Sequence, residues 1–386
     1  MSKNTLSTIS VRGGIESDSN HAAVVPPIYL SSTYAFEGFN QKGAYDYSRC
    51  GNPTRDILGQ TLAELEQGVK GIVTATGTAA INLALQILKP DDLLIVPHDC
   101  YGGSYRLFIN LADKGHFKLK VINQTNPAEL DDAFAAKPKL IWVETPSNPL
   151  LRITDLADIC QRAKATDTLV AVDNTFLTPV CQQPLTLGAD IVVHSTTKYI
   201  NGHSDVVAGV LITKTEELGE ELAWWANCLG ITGSAFDSYL TLRGVRTLVP
   251  RMRQHQENSA KLVTLLSEHA AVTTVYHPSL PSHPGHDIAK QQQHGFGAML
   301  SFELAGGEPE VIKFINALEH FSLAESLGGV ESLVCHPSTM THAAMDAEAQ
   351  AKAGIGPNLM RFSVGIEDGD ELAQDVKQAL DSLIGA

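Results

Sequence analysis

The residues able to do chemistry gather at the ends of apolar runs. In ADIVVHSTTKY, Lys198 follows a β-branched stretch that turns polar just before it. A lysine is ordinarily a surface charge. In a partly desolvated pocket, however, its neutral amine becomes an accessible nucleophile that can form a Schiff base with a carbonyl. Ser195 and Thr197 alternate with it, and could hydrogen-bond a phosphate or merely cap the strand end. Asp173 closes LVAVD, where a buried carboxylate must be paired or neutralised. It could cap the next helix, as Asn174 and Thr175 also could. Alternatively it could pair with a protonated ring nitrogen and keep that ring electron-withdrawing.

Further groups stand at neighbouring strand ends. Gly77 and Thr78 follow GIVTAT and open AAINLALQIL, so backbone N–H groups at a helix N-terminus could approach a phosphate closely. The turn is neither a P-loop nor a dinucleotide fingerprint. Tyr101, flanked by Gly102 and Gly103 in HDCYGGSY, is an aromatic placed to stack on a planar group. Asn148 in ETPSNP could bond a ring hydroxyl, although SNP is also ordinary turn chemistry. Arg361 interrupts the apolar LMRFSVG; such an arginine lies on an edge strand or is buried against an anion. Each signal is weak alone. In chain order they make a phosphate nest, a stacking ring, a ring-oxygen donor, a nitrogen partner and a nucleophilic amine.

The elements that must hold these groups are legible from about residue 60. Strands GIVTAT, LLIVPH, LKVIN, LIWVETP, TLVAVDNT and DIVVHSTT alternate with amphipathic helices. That alternation predicts an α/β fold with a mostly parallel sheet covered on both faces. Ligands bind such sheets at the C-terminal strand ends, where the residues above converge. Before residue 50 the chain is rich in Ser, Asn, Gly and Pro with little periodicity, and reads as a long arm that wraps a partner subunit or an active site. After residue 215 it turns helical through FDSYLTLRGVRTLVPRMRQHQENSAKLVTLLSEH, then resumes shorter strands VTTVYHP, GAMLSFELA and LMRFSVGI. A domain boundary is expected near residue 255.

Bulk properties exclude several classes. With 386 residues the chain can build two domains. A formal charge of −15 argues against a binder of nucleic-acid backbone. The six cysteines are scattered, without the spacing of a disulfide framework or zinc cluster. His98-x-Cys100 as a thiol nucleophile, or His194, His203, His336 and His342 as a metal site, lack a third partner at readable spacing, so no metal is expected. Neither a secretory leader nor an apolar run of membrane-spanning length is present, and the expected location is the cytoplasm.

YSRCGNPTRD, TGTAAI, HDCYGGSYRLF, ETPSNPLLR, VDNTF, HSTTKYINGHSDVVAG, FDSYLTLRGVRTL and AESLGGVESL resemble the Cys/Met-metabolism family of pyridoxal 5′-phosphate enzymes, from about residue 8 onward. The resemblance implies the PLP-dependent transferase fold type I, aspartate aminotransferase-like. It has a mostly parallel seven-stranded sheet flanked by helices and a smaller C-terminal α/β domain. It divides the chain into an arm (1–58), a cofactor-binding domain (59–255) and a C-terminal domain (256–386). It further implies a homotetramer, a dimer of dimers with shared active sites. Lys198 would anchor the cofactor as a Schiff base and move protons, Asp173 would pair with the pyridine nitrogen, and Tyr101 would stack on the ring and serve catalysis. Asn148 and Thr175 would also contact the cofactor. Gly77, Thr78, Ser195 and Thr197 would hold the phosphate, joined by Tyr47 and Arg49 from the adjacent subunit. Thr78 departs from the methionine often found there, which leaves a backbone contact unaffected. Arg361 would bind the substrate α-carboxylate through its bidentate fork, and Arg106 a distal succinyl carboxylate. Asp46, Glu325, Ser326 and Asn148 would shape the substrate site.

Within the family, YDYSR, HDCYGGSYRLF and LAWWAN imply γ-replacement on small amino-acid substrates, O-succinyl-L-homoserine and L-cysteine. γ-Elimination from cystathionine and sulfhydrylation of an O-acylhomoserine are the alternatives. Elimination from methionine fits less well, because YGGSY has no cysteine just after the tyrosine.

Overall fold

The structure is a computed structural model, and it describes residues 4–343 and 347–384. The outermost residues of the arm and of the C-terminal division therefore lie outside the described residues. Twelve strands form two sheets among them. The first contains β1 (Lys70–Thr74), β2 (Leu93–Pro97), β3 (Lys118–Ile122), β4 (Leu140–Glu144), β5 (Leu169–Asp173), β6 (Ile191–His194) and β7 (Gly209–Thr213). Their spatial order is β1-β7-β6-β5-β4-β2-β3. β7 pairs antiparallel with both β1 and β6, and the remaining pairs are parallel.

These strands form because short β-branched runs are buried on both sides. Ile141, Val143, Val170, Val172, Val192, Val210 and Ile212 point into one core. The alternate positions Leu140, Trp142, Ala171, Ile191, Val193 and Leu211 point into the other. Period-two alternation thus serves two helical layers at once. Each such side chain contributes roughly 1.5–3 kcal/mol when fully buried.

The second sheet has the order β10-β11-β12-β9-β8, built from β8 (Val272–Tyr276), β9 (Met299–Leu304), β10 (Ser322–Leu323), β11 (Leu333–Cys335) and β12 (Leu359–Ser363). Its core includes Phe302, Phe314, Phe321 and Phe362. The helix Leu248–Glu268 joins the two units. Leu248 and Met252 pack beside Tyr199, whereas Leu262, Val263 and Leu266 enter the core of the second sheet.

Three local features differ from the sequence pattern. Regular structure, legible in the sequence from about residue 60, already begins with a helix at Pro53, capped by Asn52, whose side chain accepts from the Thr54 and Arg55 N–H groups. The single helical stretch after residue 235 is two helices, Ala235–Val245 and Leu248–Glu268. Between them the Thr247 hydroxyl donates to the Gly244 carbonyl at 3.1 Å, a local bond that competes with the helical ladder. The arm holds one short helix, Leu6–Arg12, and is otherwise irregular up to residue 52. It leaves Leu30, Phe36 and Phe39 exposed. No helix among the described residues is long and apolar enough to cross a membrane.

Candidate active site

The C-terminal ends of β1, β2, β4, β5 and β6 meet at a cleft of about 1130 Å³. Because β7 runs against its neighbours, β1 stays parallel to the rest despite being separated from them. Its exit turn therefore reaches the same edge. That turn begins the helix Gly77–Ala84, where the Thr76 side chain accepts from Ala79 N–H. The first N–H groups of a helix lack intrahelical partners and carry the positive end of its dipole. Gly77 faces Ser195 so closely that a Cβ would stand 2.7 Å from the Ser195 Cβ and 2.9 Å from its Oγ. Only glycine lets this turn close against β6. Thr78 and Thr197 also line the cleft. Thr197 Oγ1 donates to the Ala208 carbonyl at 3.2 Å and accepts from Ala208 N–H at 3.1 Å.

Lys198 lies just beyond β6 and projects into the cleft, with Nζ 2.5 Å from Ser326 Oγ. Its pKa is lowered to about 8, mainly by burial and also by the neighbouring Arg361 charge, with Glu325 opposing both. A usable fraction of free amine follows near neutrality. Ser326 occupies the left-handed region with φ 81°, a strained setting for a residue with a side chain. Its carbonyl accepts from Arg361 Nη2 at 3.0 Å.

Asp173 ends β5 and accepts from Thr175 N–H at 3.0 Å. Its register partner on β4 is Glu144, a cleft-lining residue that the sequence reading passed over. Glu144 accepts from Tyr101 N–H at 2.8 Å, which ties the aromatic at the cleft mouth to the sheet. Burial raises the pKa of both carboxyls. Glu144 is raised further by the charge of Asp173, whereas Thr175 and His194 draw Asp173 back down. Burial thus lifts both carboxyls, and only Asp173 has Thr175 and His194 beside it to favour its charged form. The signal for Glu144 was available: LIWVE ends in a carboxylate just as LVAVD does.

Arg361 comes from β12 of the second sheet and is buried. Nη1 donates to Asn148 Oδ1 at 2.9 Å, and its buried Nε has no hydrogen-bond partner. A buried guanidinium without an anion is costly, so a carboxylate entering the cleft that Arg361 lines would meet a ready partner. Arg106, on the helix Gly102–Asp113, and Glu325 also line the cleft, both exposed. Tyr101 lines the cleft and stands 44% exposed, with Gly103 close against its ring. Cys100 is buried, and burial followed by the Glu144 charge pushes its thiol well above the ordinary range. It is unsuited to act as a nucleophile.

Three expected residues do not line this cleft. Asp46 pairs with Lys42 at 2.9 Å on the surface of the arm. Arg49 donates to the Asn227 carbonyl at 2.8 Å and lies over the Tyr47 ring, 5.6 Å from its centroid. Tyr47 is itself exposed. Conversely, Met340, Thr341 and His342, from the HPSTMTH segment, do line the cleft. The pattern gave them no role, because nothing local marks a loop that returns from the second sheet.

The set fits a phosphorylated pyridine aldehyde. It has open helix N–H groups beside Ser195 for a phosphate, the strand-end carboxyl of Asp173 for a ring nitrogen, a part-exposed tyrosine, and a lysine of lowered pKa. The comparisons with known proteins agree. The family model for Cys/Met metabolism PLP-dependent enzymes matches residues 7–381. The chain is 57% identical to a cystathionine γ-synthase of Escherichia coli, over 96% of both chains. It is 45% identical to a cystathionine β-lyase of Lactococcus lactis, over 98% of this chain and 99% of that one. A crystal structure of cystathionine γ-synthase from Xanthomonas oryzae pv. oryzae, in complex with aminoacrylate and cysteine, superposes with a TM-score of 0.98. It is 56% identical and covers 99% of each chain. The architecture is fold type I of the PLP-dependent enzymes, as the resemblance implied. The protein is thus an enzyme that uses pyridoxal phosphate, and it belongs to the Cys/Met metabolism PLP-dependent family.

Proposed function

We propose that the enzyme catalyses γ-replacement, joining O-succinyl-L-homoserine and L-cysteine to give L-cystathionine and succinate. The observation that carries this reading is the pair of arginines at different depths of one cleft. Arg361 is a buried residue of the cleft lining, and Arg106 is exposed on the rim. A substrate with two carboxylates, one on the amino-acid end and one on the acyl group, has an anchor for each. Identity is also higher to a γ-synthase than to a β-lyase.

In this reading Lys198 is the attachment point for the cofactor, with Asp173 at the ring nitrogen. Tyr101 lies against the ring face, and Asn148 and Thr175 at its edge. Gly77, Thr78, Ser195 and Thr197 hold the phosphate. Bound pyridoxal phosphate supplies the electron sink. Arg361 fixes the α-carboxylate, with Asn148 and Ser326 setting the guanidinium in place. The Lys198 amine would take a proton from Cα, pass it to the carbon that joins substrate and bound cofactor, and so be free to take one from Cβ. Ser326 Oγ keeps that amine within reach. Succinate leaves Cγ, held by Arg106 until it departs. The sulfur of cysteine then bonds to Cγ, and Lys198 returns protons to Cβ and Cα. Glu325 and Asp46 border the incoming amino acid. The divisions 1–58, 59–255 and 256–386 are part of the same proposal. So is a homotetramer in which the arm of a neighbouring subunit brings Asp46, Tyr47 and Arg49 to the cleft.

Product analysis decides the reaction. The holoenzyme with O-succinylhomoserine and cysteine is expected to release cystathionine and succinate in equal amounts. Dominant formation of 2-oxobutanoate from cystathionine would replace this reading with γ-elimination.

A further inference from the structure

The segment that follows Lys198 is held from behind by a buried cation. Arg251 is only 4% exposed, yet among the described residues it makes no ion pair. Its guanidinium faces backbone instead. Nη1 donates to the Tyr199 carbonyl at 2.7 Å, and Nη2 donates to the carbonyls of Gly244 and Ile200 at 2.9 and 3.3 Å. Nε donates to Thr247 Oγ1 at 3.3 Å. Burial pulls the pKa of this guanidinium down to about 10, with no charge opposing it. Burying a guanidinium without an anion is costly, so the carbonyls it gathers need an explanation beyond packing.

The surroundings supply one. Gly202 N–H donates to the Lys198 carbonyl at 2.8 Å, and any side chain at Gly202 would run into the Arg251 guanidinium. On the other side, a Cβ at Gly328 would stand 2.6 Å from Tyr199 N. The backbone just after Lys198 is therefore bounded by Arg251 and by the loop that carries Ser326. The Tyr199 ring is fully buried and packs edge-on against His255, 5.2 Å between centroids. His255 Nδ1 lies 2.7 Å from the Val364 carbonyl, and Asn258 Nδ2 donates to the Gly365 carbonyl at 3.1 Å. Both carbonyls belong to residues just past the strand that carries Arg361. One helix, Leu248–Glu268, thus grips the Lys198 turn at one point and the Arg361 strand at another.

We propose that Arg251 is a positioning residue: by clamping the Tyr199 and Ile200 carbonyls it fixes the reach of the Lys198 amine relative to Arg361. The proposal rests on the reading of Lys198 as the reacting amine. Displacements of about an ångström at a reacting group can cost up to about a hundredfold in rate, so loss of the clamp acts on turnover before it acts on substrate affinity.

The test uses holoenzyme with Arg251→Met, Arg251→Lys and, as a stability control, Leu262→Ala from the same helix within the second core. Rates are expressed per bound cofactor and compared with each variant's melting temperature. Arg251→Met is expected to lower kcat by about tenfold or more with KM for both substrates within about threefold. Arg251→Lys, which can still reach one carbonyl, recovers part of that loss. Leu262→Ala, although at least as destabilised, keeps kcat within about twofold. Retention of kcat in Arg251→Met overturns the proposal, as does an equal loss in Leu262→Ala at the same melting temperature. If Arg251→Met does not fold, Arg251→Lys against Leu262→Ala decides by the same comparison. Lys198→Ala separates the two layers of argument. Near-normal turnover there removes the reading of Lys198, whereas abolished turnover beside unaffected Arg251 variants removes the clamp alone.

Discussion

The Lys198 amine and the two carboxyls near it are tuned mainly by burial, which raises acids and lowers bases. For Lys198 the sign is definite: its pKa falls from the ordinary 10.5 to about 8. Below that pH the amine is protonated and unreactive, and above it the amine is free. Recombination of apoenzyme with pyridoxal phosphate is therefore expected to accelerate with pH and level off above about 8, not above 10.5. Stopped-flow absorbance of the bound chromophore measures this directly, and a rise continuing through pH 10 would contradict it. Lys198, Asp173 and Arg361 were legible in the sequence because a charged residue on an apolar strand is conspicuous by type. Glu144 was equally visible by type, but its meaning depends on lying in register with Asp173, and register is a property of two strands. Ser326 came to notice only through family resemblance, because its positive φ leaves no mark in the local pattern.

At the scale of elements, the β1 exit turn and the helix Gly77–Ala84 make the sharpest claim. Gly77→Ala would drive a methyl group to 2.7 Å from the Ser195 Cβ, and strand and turn must part to admit it. Cofactor dissociation is expected to rise about tenfold, roughly 1.4 kcal/mol, with little change in turnover at saturating cofactor. Equilibrium dialysis measures the first and saturated kinetics the second; an unchanged dissociation constant would remove the turn from the phosphate site. Six strands of the large sheet were legible from β-branched runs ending in polar residues. β7 was not, because GVLIT follows the lysine segment with no intervening helix to announce a new strand. β10 and β11 span two and three residues, too short for any periodicity. The break at Thr247 was hidden because both flanking helices carry the same apolar spacing.

For the whole molecule, the arm carries large apolar side chains that this chain itself does not cover. Phe39 is fully exposed, with Leu30 and Phe36 nearby in sequence, and large apolar groups in such number are unusual on a free surface. If neighbouring subunits share sites, two inactive variants must complement each other. Mixing Lys198→Ala with Arg49→Ala after dissociation and reassociation is expected to restore about a quarter of native activity, since half the dimers are hybrids with one intact site each. No recovery despite confirmed exchange would mean that each chain serves only itself. The second sheet was legible from the change of texture after residue 215, whereas the destination of the arm was not, because an irregular segment carries no face to orient it. The reversed strand β7 has a last consequence. Its first residues return to the cleft edge, where Ala208 bonds Thr197 on both its N–H and its carbonyl, so residues 199–207 leave the site and re-enter it at a fixed stitch. Loop length on most enzyme surfaces is negotiable, but this stretch is a ruler: one residue inserted or removed must misplace either the lysine or the start of the strand.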